Sequence, residues 1–143
     1  MEVITAPDER LNTVCTEVDP SSPNIATLAE GMVETMIRHN GRGLAAPQVG
    51  YLSRLFCMKY GSGVLIMCNP RIVRRGKDVT AGEEGCLSIP GRKAMVDRHK
   101  IITVEWVDLG GGARSAKMRG LDARCVQHEI DHLDGILIPV GGV

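Results

Sequence analysis

The clearest periodic stretch of the chain lies between Pro23 and His39, where Ile25, Leu28, Ala29, Met32, Val33, Met36 and Ile37 recur at helical spacing. Such intervals gather apolar side chains on one face of a helix. Ser22 stands where an N-cap belongs, Pro23 takes the first helical position, and Asn40-Gly41 supplies a stop. The pattern predicts an amphipathic helix over residues 23–39. A loop punctuated by glycine and proline follows, Gly41–Gly50. Two short apolar runs, Arg54–Lys59 and Val64–Cys68, flank Gly61-Ser62-Gly63 and predict a hairpin. Asn69-Pro70 reads as a turn, with a further strand over Arg71–Arg75. Ile101–Val107 is a clear strand, joined through Gly110-Gly111-Gly112 to Ala113–Arg119. A second helix from Asp122 to about Leu133 and a short last strand at Ile136–Ile138 complete an α+β reading.

Composition narrows the class. The 143 residues fit one domain, and no repeat or linker divides them. Aromatic residues make up only 3%, so the core has to be built from Val, Ile, Leu, Met and Ala. Seventeen basic residues balance seventeen acidic ones, which gives no general attraction for nucleic acid or an acidic membrane. The first residues carry no basic and apolar leader pattern, and no apolar run is long enough to span a bilayer. The five cysteines, Cys15, Cys57, Cys68, Cys86 and Cys125, are odd in number and form no C-x-x-C pair. That argues against a disulfide framework and for a reducing compartment, with most thiols buried as small apolar groups.

The strongest chemical signal is His128-Glu129-Ile130-Asp131-His132 on the second helix. Histidines at i and i+4 share a helical face, so both imidazoles can reach one metal ion, and Glu129 beside the first can move protons. The composition would produce this pattern by accident about 0.7% of the time, which favours chemistry over a solvated helix face. A catalytic site of this kind needs a third protein ligand. Only eleven residues follow His132, so the ligand has to come from upstream. Cys86, the other cysteines and several acids are the candidates.

Cys86 lies in Glu83-Glu84-Gly85-Cys86-Leu87-Ser88-Ile89-Pro90, an irregular segment set before a strand. A metal would deprotonate a thiol there; the plain alternative is a buried structural cysteine. A Cys–His nucleophilic pair ranks last, because it leaves the paired histidines and Glu129 without a shared role. The loop Gly41–Gly50 has little side-chain bulk apart from Gln48, whose amide can donate to a developing oxyanion. Taken alone, that loop could equally be a tight turn with a surface glutamine.

Taken together, Gly41-Arg42-Gly43-Leu44-Ala45-Ala46-Pro47-Gln48, Glu84-Gly85-Cys86-Leu87-Ser88 and Gln127-His128-Glu129-Ile130-Asp131-His132 resemble the three signature motifs of the peptide deformylase family, in the family's order. The resemblance extends to Pro7-Asp8-Glu9-Arg10-Leu11 and Asn69-Pro70. It implies mainly antiparallel strands around a central metal-binding helix. It implies one divalent metal held by Cys86, His128 and His132, with iron(II) the usual ion and zinc, nickel or cobalt able to substitute. Glu129 would shuttle protons, and Gln48 with the Leu87 N–H would hold the oxyanion. Gly43, Gly85, Leu121 and Cys125 would contact the substrate, an N-formyl-methionyl nascent peptide. The implied setting is a monomer in the cytoplasm of a bacterium or a virus-infected host, or in an organelle, with transient ribosome contact. An ion pair between Glu84 and Arg98 is also expected to support the site.

Three features depart from the family pattern. Arg42 stands where a small apolar residue is more usual, and Lys93 where many relatives carry Arg. The chain also stops at Gly141-Gly142-Val143, short of the C-terminal element common among relatives, and its glycine tail reads as a finished end. A zinc endopeptidase of the same helix motif is disfavoured by the missing downstream ligand. A non-catalytic metal-binding relative would have no use for Glu129 or Gln48.

Overall fold

The computed structural model describes residues 1–141; Gly142 and Val143, the end of that glycine tail, lie outside the described residues. Helix α1 spans Pro23–Arg38, with Leu28, Ala29, Met32 and Met36 buried along one face. Ser22 provides no side-chain cap, and the first turn relies on Pro23 instead. At the other end it is Asn40, not Gly41, that takes the left-handed conformation, at φ 54°, and Gly41 N–H returns to Met36 O at 2.9 Å.

Seven strands follow: β1 Gly43–Ala45, β2 Leu55–Tyr60, β3 Gly63–Arg75, β4 Val79–Cys86, β5 Ile89–His99, β6 Ile101–Val107 and β7 Ala113–Arg119. They form a five-stranded sheet in the order β1-β2-β3-β6-β7 and a separate β4-β5 hairpin, antiparallel throughout. Strand β6 buries Ile102, Val104 and Trp106 and alternates as a half-covered strand should. Helix α2, Gly120–Leu133, packs against β1, β2, β5 and β7. It ends at Gly135, whose φ of 76° and close approach to the Asn12 backbone leave no room for a side chain. The α+β class expected from the sequence is the one observed. No helix among the described residues is long and apolar enough to cross a membrane.

The core follows from the shortage of aromatics. Met32, Met36, Met58, Met67 and Met118 are all buried, beside Phe56 and Trp106. Two layers result, one between the sheet and α2 and the other between α1 and the opposite face of β2.

Three local expectations are corrected. Asn69-Pro70 is not a turn: β3 runs through it with a register shift between Cys68 and Arg71. Asn69 sits at φ 51°, and its amide both accepts from Val18 N–H at 2.8 Å and donates to Val18 O at 2.9 Å. The irregularity ties down the N-terminal segment instead of reversing the chain. Ile136–Ile138 is not a strand; Ile138 is buried as an anchor in irregular chain. The segment Glu83–Pro90, expected to be irregular, is the tip of a hairpin: Glu83–Cys86 end β4, and Ile89 and Pro90 open β5.

Candidate active site

Four segments meet at one cleft of 1290 Å³. Helix α2 brings His128, Glu129 and His132. The β4–β5 turn brings Cys86 and Leu87, β1 brings Gly43, and the 3-10 turn Ala46–Val49 brings Gln48. The N-terminal segment stitches two of them together, since Ile4 N–H donates to Gln48 O at 2.8 Å and Ala6 N–H donates to Ser88 O at 2.9 Å.

Cys86, His128 and His132 direct one ligand atom each into a common space, all within 4.8 Å of one another, the one such convergence among the described residues. Cys86 Sγ lies 3.3 Å from His132 Nε2. His128 Nδ1 lies 2.8 Å from Glu84 Oε1, so the neutral imidazole that a metal would bind donates Nδ1–H to that carboxylate and presents the lone pair of Nε2 to the site. Burial opposes charge on His128. The Cys86 sulfur, the Glu84 carboxylate and the charge on Glu129 outweigh that cost, so without a metal its pKa is raised to about 10. His132 is pushed the other way, down to about 3, by burial and the positive charge of His128 and Arg98. One imidazole thus stays a neutral ligand while its surroundings attract a cation, and the donor set suits a divalent transition metal.

Glu129 is 3% exposed, and its Oε1 has no hydrogen-bond partner among the described residues. Burial is the main cause that lifts its carboxyl to about 7, the range in which a group can both take and return a proton near neutrality. Its other oxygen occupies space beside Gly43, where a Cβ would lie 2.6 Å away. Gln48 is held by Ala45 N–H donating to its Oε1 at 3.0 Å. This turns Nε2 toward Ser88 Oγ at 3.1 Å and Cys86 Sγ at 3.6 Å. The amide donor therefore faces the sulfur side of the cleft.

Gly43, Gly85, Leu87, Leu121 and Cys125 also line the cleft, so the structure gathers the whole predicted set, with His132 walled in behind it. Leu121 is open to solvent, at 64% exposure. The expected Glu84–Arg98 pair is present and bidentate, at 2.9 Å through both Nε and Nη2. Arg98 also holds Asp131 at 2.6 Å. Arg42 reaches Asp122 at 3.3 Å with both side chains partly in solvent, and Lys93 pairs with Glu83 at 3.5 Å. Sequence reasoning passed over Ser88, Asp131 and Arg124 as parts of this network. The available signal was position: Arg124 precedes His128 by four residues on one helical face.

Paired histidines and a convergent thiol, with an unpartnered carboxylate beside them in an open cleft, mark a metal-dependent hydrolase. Comparison with known proteins narrows the class. The family described as polypeptide deformylase matches residues 1–139. A peptide deformylase of Agathobacter rectalis is 42% identical over 130 residues, covering 91% of this chain and 82% of that protein. The crystal structure of peptide deformylase from Thermotoga maritima matches with a TM-score of 0.93 at 36% identity, covering 96% and 93% of the two chains. That of a probable peptide deformylase from Synechococcus phage S-SSM7 matches at 0.91 and 37%, covering 96% of each. The chain belongs to the peptide deformylase family, metal-dependent hydrolases that remove the N-formyl group from nascent polypeptides.

Proposed function

We propose that this chain hydrolyses the formyl amide of N-formyl-methionyl peptides to formate and a free amino terminus, with residues 1–143 acting as one catalytic domain. The observation that carries the reading is the convergence of Cys86, His128 and His132 beside a buried carboxylate with a free oxygen. One divalent metal held by those three side chains would supply a Lewis acid that lowers the pKa of water and polarises the formyl oxygen. Iron(II) follows from the family resemblance, and zinc, nickel or cobalt are compatible with one thiolate and two imidazoles.

Glu129 takes a proton from the attacking water as the C–O bond forms, then delivers it to the amine nitrogen as the C–N bond breaks. The Gln48 amide and the Leu87 N–H donate to the oxygen of the tetrahedral intermediate. Gln48 is suited to this because Ala45 N–H fixes its orientation and its nearest sulfur contact, at 3.6 Å, is weak enough to exchange for an oxyanion. The methionine side chain enters the space bordered by Gly43, Leu121 and Cys125. The outer edge of β1 is unpaired in the sheet order, so an extended peptide can add there, with Gly85 and Leu87 on its other side. The enzyme acts as a monomer in a compartment where formylated chains are made, the cytoplasm or an organelle with its own translation, with transient ribosome contact.

The test is formate release from formyl-Met-Ala-Ser by anaerobically purified, iron-loaded protein, with Cys86→Ala as control. Release that disappears in the variant supports both the reaction and the ligand role. No release from a folded protein with one bound metal per chain would sink the reading.

A further inference from the structure

Arg124 takes no part in the reaction just described, yet its side chain is only 13% exposed. Its Nη1 donates to Glu84 Oε2 at 2.7 Å and to Val96 O at 2.8 Å, and its Nη2 donates to Thr80 O at 2.8 Å. Thr80 and Val96 lie on the two strands of the β4–β5 hairpin, and Glu84 is the carboxylate that accepts from His128 Nδ1–H. One guanidinium therefore holds both strands of the hairpin and the outer partner of a metal-site histidine.

Gly82 explains how it gets there. A Cβ at Gly82 would lie 2.7 Å from Arg124 Cζ, 2.9 Å from Nη2 and 3.0 Å from Nε. Its φ is not in the left-handed region, so what glycine supplies here is space. A side-chain end held by three hydrogen bonds cannot move aside without giving some of them up.

The hairpin needs such a fastening. Along β4 only Glu84 is buried, and along β5 only Ile89 and Arg98. With so few buried apolar side chains, the hairpin leans on ion pairs for its attachment to α2, while its turn carries Cys86. Arg98 grips Glu84 and Asp131, and Arg124 grips Glu84 and the backbone of both strands.

We propose that Arg124 is a positioning residue: seated in the notch left by Gly82, it fixes the hairpin and the Glu84 carboxylate against α2, so that His128 and Cys86 keep the geometry a metal requires. This rests on the metal reading of Cys86, His128 and His132. Outer-sphere partners of metal-bound histidines are typically worth about 10- to 100-fold in metal affinity. Arg98 keeps Glu84 paired when Arg124 is removed, so weakened metal retention is expected in place of an unfolded chain.

The experiment is cobalt(II) release to a chelator, followed by the thiolate–cobalt absorption, for the unmutated protein, Arg124→Met, Arg124→Lys and Gly82→Ala. Melting of each metal-free protein controls for folding. At least about tenfold faster release is expected in Arg124→Met and in Gly82→Ala, with a shifted absorption band and partial rescue in Arg124→Lys. The same Arg124→Met change in a Glu84→Gln background should add little, because both act on one carboxylate. Unchanged release in folded Arg124→Met and Gly82→Ala, or full additivity with Glu84→Gln, overturns the proposal. If Arg124→Met does not fold, Gly82→Ala and Arg124→Lys decide it. Unmutated protein that binds no cobalt would overturn the metal reading of the site instead.

Discussion

Gly43→Ala adds one methyl group at the position where β1 faces α2, and its cost can be worked from the contacts. The new Cβ would lie 2.6 Å from Glu129 Oε2 and 3.0 Å from both Glu129 Cδ and Cys125 Sγ. Ordinary van der Waals contact begins near 3.4 Å, so the carboxylate would have to retreat by roughly 0.8 Å. It has little room to do so, being 3% exposed on a helix packed against the sheet. Overpacking of this kind costs about 1–3 kcal/mol of stability. The larger effect falls on turnover: a misplacement near 1 Å at a reacting group costs about 100-fold, or about 2.7 kcal/mol of barrier. The atoms nearest the added methyl belong to Glu129 and Cys125, not to the three candidate ligands, so metal content should stay at the unmutated level. The assay is formate release at saturating substrate together with metal stoichiometry on the same samples. A Gly43→Ala enzyme within threefold of the original kcat would refute the placement of Glu129 against this strand.

Other expectations follow from the same contacts. Glu129→Ala should bind metal with unchanged stoichiometry by equilibrium dialysis and lose about 10²- to 10⁴-fold in kcat; normal deformylation would remove Glu129 from the proton path. Burial lifts the Cys15 and Cys68 thiols to about 11 and Cys57 to about 12, and Cys125 well above the usual thiol value. Iodoacetamide at pH 8 should therefore alkylate Cys86 before the others in metal-free folded protein, as read by peptide mass spectrometry. The raised values also set an alkaline limit. Unfolded thiols ionise first, so stability is full below about pH 9 and falls as pH rises from there toward 11, by up to about 1.4 kcal/mol per pH unit per thiol. Urea midpoints at stepped pH would show it, and Cys57→Ala should flatten the slope. Arg42→Ala should change stability by less than about 1 kcal/mol, because its pair with Asp122 is half in solvent; a larger loss in urea unfolding would mean the pair is buried in solution.

What could be read from the sequence depended on where apolar side chains had to repeat. Helix α1 announced itself through Leu28, Ala29, Met32 and Met36, and β6 through Ile102, Val104 and Trp106. The β4–β5 hairpin did not, because its buried positions are mainly Glu84, Ser88 and Arg98, and ions have no hydropathy period. Asn69 was misread because a left-handed asparagine before proline looks the same in a turn and in a bulge. At the site, His128-Glu129-x-x-His132 was legible by itself from helical geometry. Cys86 and Gln48 acquired meaning only as members of a set, since a lone cysteine or glutamine has no spacing to interpret. Arg124 stayed hidden because a basic residue on a polar helix normally faces water, and only the hairpin folded over it removes the water.

The two edges of the five-stranded sheet meet the danger of association with other chains in different ways. The outer strand β7 carries Arg114, Lys117 and Arg119, and this row of positive charge discourages a second copy from pairing there. Strand β1 has no such guard, since Gly43, Leu44 and Ala45 bear no charge at all. Its protection is brevity and recess: three residues, two of them buried, offer too short a ladder for another folded protein to grip. An unfolded or newly made chain end is thin enough to reach it. If the substrate adds here as proposed, the edge left sticky is also the one that would admit a single extended strand and exclude a sheet, open yet too short to seed aggregates.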